Sequence, residues 1–259
     1  MEPSFAIIMT TYKRPTEVLR TVGSIRAQSY PTWQAFVVID DTETDYSELT
    51  REIGSDIRFT ILKNTENIGK NASVNRALAI LRRDNFRGYV VFLDDDDWLA
   101  PACLADFASA ITKYPENHWF VSQRTHHETN VPYTFSKTDR DLIHYASDCL
   151  IERRFGGDAT HCIDFTLTTT AEFPNQVKNA EEWLYFATVG TTIPSFRYLA
   201  LTGTYSAGYA PGGLSDEYHK HTEQKQNAPK LAREVWERKI FDPYILLYIS
   251  LRLVRAIFS

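Results

Sequence analysis

The chain of 259 residues is 43% hydrophobic and 24% charged, the make-up of an ordinary folded protein with enough length for a sizeable core. A formal net charge of −5 excludes a general nucleic-acid binder, whose footprint is basic. Cys103, Cys149 and Cys162 are odd in number and far apart, which suits a reducing compartment rather than a disulfide framework, and the opening residues lack a secretory signal.

Short apolar runs alternate with helix-compatible segments in the first half, the pattern of a parallel sheet flanked by helices. Strands are predicted near Phe5–Thr10, Ala35–Ile39, Arg58–Leu62 and Tyr89–Leu93. Helices are predicted near Thr16–Gln28, Tyr46–Ile53, Asn71–Arg83 and Pro101–Lys113. Ligands of open α/β sheets sit beyond the carboxyl ends of the strands. Three of those ends carry polar chemistry here: Thr10 to Arg14, Asp40-Asp41, and Asp94 to Asp97. Neither a GxGxxG loop nor a Walker A loop is present, so a phosphate would rest on side chains and a metal rather than on a glycine cradle.

Most informative is Tyr89 to Leu99, where an apolar run ends in four consecutive aspartates. Two unit charges ~4 Å apart repel by about 4 kcal/mol at the effective dielectric of a protein surface, so such a cluster requires cations. If the strand continues through it, Asp94 and Asp96 share one face and Asp95 and Asp97 the other. Oxygen ligands on one face suit Mg²⁺ or Mn²⁺. The alternative is a solvated acidic turn, with Asp97 also expected to help cap the helix that opens near Pro101.

The second half is less regular. Its signals predict a strand at Trp119–Gln123, a helix around Asp141–Arg153, a break at Gly156-Gly157 and a strand at His161–Thr168. They continue with a helix from Asn179 to Gly190, a strand at Phe196–Leu201 and a mobile loop over Gly203–Leu214. From Pro229 onward six cations stand against three acids, and residues 243–259 are apolar but too short and too interrupted by arginine for a membrane span. That tail suits an interfacial helix on an anionic membrane, docking on the protein's own core, or a partner subunit such as a second copy in a homodimer.

Five ordered segments carry a resemblance: Ala6 to Arg14, Ser24 to Pro31, Val37 to Asp45, Asn67 to Asn75 and Phe92 to Pro101. Together they make the first 110 or so residues resemble a family 2 glycosyltransferase of the GT-A fold, a Rossmann-like, mostly parallel sheet flanked by helices, here with a C-terminal helical extension. The resemblance implies residues 1–113 as the nucleotide-sugar-binding half, 114–218 as the acceptor half, and 219–259 as a helical tail. It implies inverting transfer of a sugar from a nucleotide diphosphate donor, UDP favoured, to a hydroxyl of a glycan or lipid-linked acceptor. Asp41 then resembles the acid at the nucleotide base, with Asp40 as second choice, and Asp94 the acid near ribose. Asp96 resembles the metal-binding member of the DxD motif, and Asp95 is grouped with the donor contacts.

Thr11, Tyr12 and Arg14 fall in the first nucleotide-contacting loop, and Lys70 in a stretch that lies near the donor in relatives. Glu181-Glu182 stands where relatives carry a Glu-Asp pair whose second member is the catalytic base, which makes Glu182 the base candidate. The same pair also reads as a helix first turn favoured by the helix dipole. Trp183, His161 and His219, and with them His221, are candidates for acceptor or supporting contacts, with packing or surface roles as alternatives. The segment Tyr205–Ser215 is a candidate lid over the donor. By analogy the enzyme is expected to be cytoplasmic, at the inner face of the cell membrane, building a bacterial surface polysaccharide. Competing readings are a non-catalytic nucleotide-sugar or glycan-binding module and a metal-dependent nucleotidyltransferase or phosphohydrolase.

Overall fold

The computed structural model describes residues 2–208 and 222–258. In chain order the elements are β1 (Phe5–Thr11), α1 (Glu17–Arg26), β2 (Trp33–Ile39), α2 (Ser47–Ile53), β3 (Phe59–Lys63), α3 (Lys70–Arg83), β4 (Tyr89–Asp94), β5 (Asp97–Leu99) and α4 (Cys103–Lys113). They continue with β6 (Trp119–His126), β7 (Phe135–Ser136), β8 (Leu142–His144), a π-helical turn (Tyr145–Ile151), β9 (Phe155–Gly156) and β10 (Ala159–Asp164). A 3₁₀ turn (Phe165–Leu167), α5 (Trp183–Gly190), β11 (Ser195–Ser206), α6 (Thr222–Glu237) and α7 (Pro243–Phe258) complete the described chain.

The main sheet runs β3-β2-β1-β4-β10-β6-β11-β5, with β8 also on β11. Its first four strands are parallel, β10 is antiparallel to both neighbours, and β11 is parallel to β6 but antiparallel to β5 and β8. The result is a mixed α/β sheet with a parallel half, as the alternation of apolar runs and helices predicts. Successive residues of β1 feed two cores on opposite faces. Ala6 and Ile8 pack with Leu78, Trp119 and Tyr185, while Phe5, Ile7 and Met9 pack with Val22, Leu49 and Phe107. Burial on both sides explains why the parallel strands read as unbroken apolar runs instead of alternating ones.

In the second half several predicted elements change. Where a helix is predicted over Asp141–Arg153, β8 instead pairs Ile143 with Phe196, and the chain then makes a π-helical turn. The cause is the buried Asp148, whose carboxylate accepts from His144 N at 2.8 Å and Arg140 Nη2 at 2.6 Å and so fixes a non-helical entry. The predicted strand His161–Thr168 starts earlier, at Ala159, and stops at Asp164, because that side chain accepts from Thr166 N at 2.9 Å and starts a turn. The predicted loop at Gly203 is strand as far as Ser206, paired with β5 through Thr204 and Leu99. Of the candidate lid, residues 209–215 lie outside the described residues, as do His219 and His221.

Asp97 does not cap the helix after Pro101. Asp97 opens β5, and α4 starts at Cys103, where Leu104 N donates to Gln28 Oε1 at 3.0 Å. The helix predicted from Asn179 starts only at Trp183, because Ala180 (φ 60°) and Glu181 (φ 62°) are both left-handed. Helices α6 and α7 close the core that holds Ala6, Ile8 and Tyr185 with Leu231, Val235, Ile245 and Ile249, so part of the tail packs on the protein itself. Among the described residues no helix is long and apolar enough to cross a membrane.

His161 belongs to the same core. Its ring stacks on Phe186 with centroids 4.1 Å apart and accepts from Trp119 Nε1 at 3.1 Å, and burial lowers its pKa to about 3. An unfolded imidazole titrates near about 6.5, so below that pH the unfolded chain binds a proton that the native state refuses, and stability falls as pH falls. His161→Phe is therefore expected to lessen the stability lost between about pH 6.5 and 4 by about 1–3 kcal/mol, read from urea midpoints across that range.

Candidate active site

Parallel register puts the ends of β1, β2 and β4 at one edge of the sheet: Thr10 is level with Val38 and Asp94, and Thr11 with Ile39. The four aspartates straddle a tight turn there. Asp94 ends β4, Asp95 and Asp96 form the turn, and Asp97 opens β5. Asp94 and Asp96 are accessible, with side chains 50% and 31% exposed, whereas Asp95 and Asp97 are buried. Because the strand breaks after Asp94, Asp97 does not simply face away. Asp94, Asp96 and Asp97 each offer a carboxylate oxygen within 4.8 Å of the other two.

Helix α1 braces the turn from below. Thr21 Oγ1 lies 2.8 Å from the Asp95 carbonyl and 2.6 Å from that of Asp97, while Arg20 donates to the Asp96 carbonyl at 2.8 Å and stacks 3.8 Å over Trp98. Three cations from three separate elements answer the charge. Arg14 Nη1, in the loop after β1, reaches Asp95 at 2.9 Å and Asp96 at 2.7 Å. Lys70 Nζ, at the start of α3, lies 2.7 Å from Asp94, and Arg124 Nε, on β6, lies 2.7 Å from Asp97.

These environments separate the four acids electrostatically. Lys70 outweighs burial and holds Asp94 below the ordinary carboxylate range. Burial dominates at Asp95, raising it to about 6 against the pull of Arg14, and at Asp97, raising it to about 7 against Arg124. The donor set of the accessible acids, hard carboxylate oxygens gathered at the open end of a sheet, fits a divalent cation such as Mg²⁺ or Mn²⁺.

Asp40 and Asp41, just after β2, take different roles. Asp40 turns inward, accepting from Asn64 Nδ2 at 2.8 Å, Ile68 N at 2.9 Å and Gly69 N at 2.8 Å, and thereby anchors the start of α3. Asp41 accepts from Glu43 N at 2.9 Å and Lys13 N at 3.3 Å. Burial pushes its carboxyl up, but the bonds from Thr44, Glu43 and Lys13 prevail and hold it low. Tyr12 is exposed in the adjoining loop. Thr11 is buried, with its hydroxyl 3.4 Å from that of Tyr46.

The acidic pair of the second half arrives by way of α3. Asn71 donates through Nδ2 to the carbonyls of Val177 and Ala180, both at 3.0 Å, and Lys70 N donates to Asn179 Oδ1 at 2.9 Å. Gly69 permits this approach, since at φ 91° a Cβ there would come within 2.6 Å of the Lys178 carbonyl oxygen. Glu182 consequently lies 3.2 Å from Lys70 Nζ, the same ammonium that holds Asp94. Attraction from Asp94 and Glu182 overcomes burial and raises the Lys70 pKa, so the lysine is a permanent cation. Glu181 turns the other way, into the protein, where its carboxylate accepts from Trp183 Nε1 at 2.6 Å. Trp183 packs edge-on against Tyr248 of α7.

Thus Arg14, Asp41, Lys70, Asp94, Asp95, Asp96 and Glu182 meet at one edge, with Thr11 and Tyr12 adjoining, while His161 is in the core. Arg124 and Arg252, which binds Glu181, were not singled out from sequence. Arg124 left a faint signal, since a lone arginine within the strand-like run Trp119-Phe-Val-Ser-Gln-Arg124 requires a buried counter-charge.

A mostly parallel sheet with an aspartate cluster at its carboxyl edge, faced by an acid from the second half, is the arrangement of a GT-A glycosyltransferase. The profile of the family described as Glycosyl transferase family 2 matches residues 6–169, and the chain belongs to that family. It is 29% identical over 107 residues to the putative colanic acid biosynthesis glycosyl transferase WcaA of Escherichia coli K12, a match covering 40% of this chain and 37% of WcaA. It is 30% identical over 120 residues to the uncharacterized glycosyltransferase MJ1057 of Methanocaldococcus jannaschii, covering 45% of this chain and 39% of that protein. The matches thus span under two fifths of each of these curated relatives.

Among solved structures, S. aureus TarS 1-349 in complex with UDP-GlcNAc superposes with a TM-score of 0.69 at 17% identity, over 88% of this chain and 66% of that one. Mannosyltransferase PcManGT from Pyrobaculum calidifontis, in complex with GDP-Man and Mn²⁺, superposes with a TM-score of 0.60 at 16% identity, over 99% of this chain and 76% of that one.

Arg124 and Asp97 form a largely buried pair, so removing one partner strands the other's charge. Arg124→Met is expected to cost about 3–5 kcal/mol in urea unfolding, and combining it with Asp97→Asn is expected to restore most of that loss.

Proposed function

We propose that the protein is a metal-dependent, inverting glycosyltransferase that moves a sugar from a nucleotide diphosphate donor, with UDP favoured, to a hydroxyl of a glycan or lipid-linked glycan. One observation carries the reading: the accessible Asp94 carboxylate at the sheet edge and the Glu182 carboxylate share the ammonium of Lys70, one on each side of the place where a donor and an acceptor would meet. Residues 1–113 take the donor side. Asp41 serves the base, Asp94 the ribose, and Thr11, Tyr12 and Arg14 line the first loop. Asp96, with Asp94 and Asp97 beside it, would hold Mn²⁺ or Mg²⁺. When bound, that ion supplies Lewis-acid stabilisation of the charge that develops on the departing diphosphate.

The protein's own groups do the rest. Arg14 keeps Asp95 and Asp96 in place, and Lys70 contributes a fixed positive charge beside the leaving group. Glu182 accepts the proton of the acceptor hydroxyl as its oxygen attacks the anomeric carbon, opposite the breaking bond to the diphosphate. Attack from the opposite side inverts the anomeric configuration. The fold relatives that carry UDP-GlcNAc, UDP or GDP-Man in their structures support a nucleotide-sugar donor, and the resemblance to WcaA supports bacterial surface polysaccharide as the product.

On this reading the tail meets a membrane surface from the cytoplasmic side. Leu247, Leu251, Val254 and Ile257 lie exposed on α7, and Trp236 and Phe241 are exposed close before it.

Nucleotide sugars screened by thermal shift with Mn²⁺ should include one that raises the melting temperature, because a ligand of the folded state stabilises it. With that donor, Glu182→Gln should lower turnover by about 10²–10⁴-fold. Asp96→Ala should abolish both the Mn²⁺-linked shift and turnover. Calorimetric donor binding without any turnover would instead mark a binding module, and release of pyrophosphate a nucleotidyltransferase. Sedimentation with vesicles containing phosphatidylglycerol should capture the full chain and should fall at least fivefold on Leu247→Glu combined with Leu251→Glu, about 1 kcal/mol or more of binding.

A further inference from the structure

We infer that Arg252, on the C-terminal helix, is a positioning residue for Glu182, so that the tail sets the geometry of the base as well as closing the core. The inference rests on the reading of Glu182 as that base. The side chain of Glu181 has no solvent exposure, yet it carries a carboxylate. Arg252 Nη1 donates to its Oε2 at 2.5 Å and Nη2 to its Oε1 at 2.6 Å, a two-pronged pairing across 71 positions of sequence. Trp183 Nε1 adds a third donor at 2.6 Å, and the rings of Trp183 and Tyr248 flank the guanidinium, each 5.8 Å from its centre.

The backbone explains why such a clamp is required. Ala180 and Glu181 are consecutive residues with φ near +60°, a conformation that residues with a Cβ adopt only at a cost and keep only when their surroundings hold them. On one side Asn71 of α3 binds the carbonyls of Val177 and Ala180. On the other side the clamp is Arg252. Glu182, next in the chain, is thereby delivered to Lys70 and Asp94. Without the two-pronged bond from Arg252 the strained pair at 180–181 is released to relax, whether Glu181 stays ionised or is neutralised, and that relaxation carries Glu182 away. The donor contacts at Arg14, Asp41 and Asp94 belong to other elements and would stay.

The test uses the full chain with Mn²⁺ and the nucleotide sugar selected by the screen above, following nucleoside diphosphate release with water as acceptor. It also follows deuterium exchange in peptides spanning residues 176–186. Arg252→Met should lower kcat at least 30-fold with donor KM within twofold, and should speed exchange in those peptides while β1 to β4 stay protected. Arg252→Lys, which keeps the charge but not the fork, should recover part of kcat. Arg252→Met with Glu181→Gln removes the stranded charge, so the melting temperature should recover while kcat does not.

If turnover in Arg252→Met stays within threefold of wild type, or the double variant regains turnover together with stability, the proposal is wrong. Should Arg252→Met fail to fold, Arg252→Lys and the double variant decide by the same measures. Glu182→Gln is run in parallel. If it stays active, the base reading fails on its own and the exchange data alone judge the coupling. If it is inactive while Arg252→Met is normal, only the coupling falls.

Discussion

The constraint on which the rest depends is the accumulation of four negative charges where β4 ends. Each close pair of them costs about 4 kcal/mol at surface-like dielectric, more than a native domain can leave uncompensated several times over. The chain answers with Arg14 from the loop after β1, Lys70 from α3 and Arg124 from β6, each within 2.9 Å of an aspartate. No local segment contains these cations, so the acidic turn can be stable only once the sheet and α3 have assembled around it. Charge repulsion at one turn thus becomes a tie between distant parts of the fold.

Burial then divides the labour among the aspartates. Asp95 and Asp97 are drawn under the turn, where desolvation raises their pKa values and where Thr21 grips the backbone beside each of them. Asp94 and Asp96 stay accessible at the open edge, and Asp94 is held ionised by Lys70. Asp95 therefore supports the turn, Asp97 ties it to Arg124 while keeping one oxygen close to Asp94 and Asp96, and those two stay accessible. Lys70 joins this edge to the second half of the chain, since the same ammonium also meets Glu182. A cation shared by two carboxylates fixes their separation, so one acid from each half of the chain meets at Lys70.

The first half was legible in sequence because each signal was local. Apolar runs such as Phe5-Ala-Ile-Ile-Met9 name their strands, and four aspartates in a row announce a polar strand end whatever surrounds them. The second half was not, because its elements are decided by single buried polar groups. Asp148 replaces a predicted helix by a strand and a π-helical turn, and Asp164 ends a strand early. Nothing in the letters Asn179-Ala-Glu-Glu182 discloses two left-handed residues, since the helix propensity of Ala and Glu argues the opposite and tertiary bonds from Asn71 and Arg252 prevail. His161 stands in the sequence as a candidate site residue because its packing partners Trp119 and Phe186 lie 42 and 25 positions away, beyond the reach of periodicity.

The C-terminal helix shows why one apolar segment admitted several sequence readings at once. Its residues divide by face. Ile245 and Ile249 enter the core, Arg252 continues that inner row to Glu181, and Leu247, Leu251 and Val254 face outward. A helix with apolar residues on both faces has a mean hydropathy that suggests a membrane, a core or a partner, and composition alone cannot separate them. The arginine makes the division intelligible. A guanidinium in the inner row is tolerable only against a buried carboxylate, so Glu181 fixes the rotation of the helix about its axis. Once that rotation is set, Leu247, Leu251 and Val254 are exposed among the described residues, and that outward face is a consequence of the ion pair beneath it.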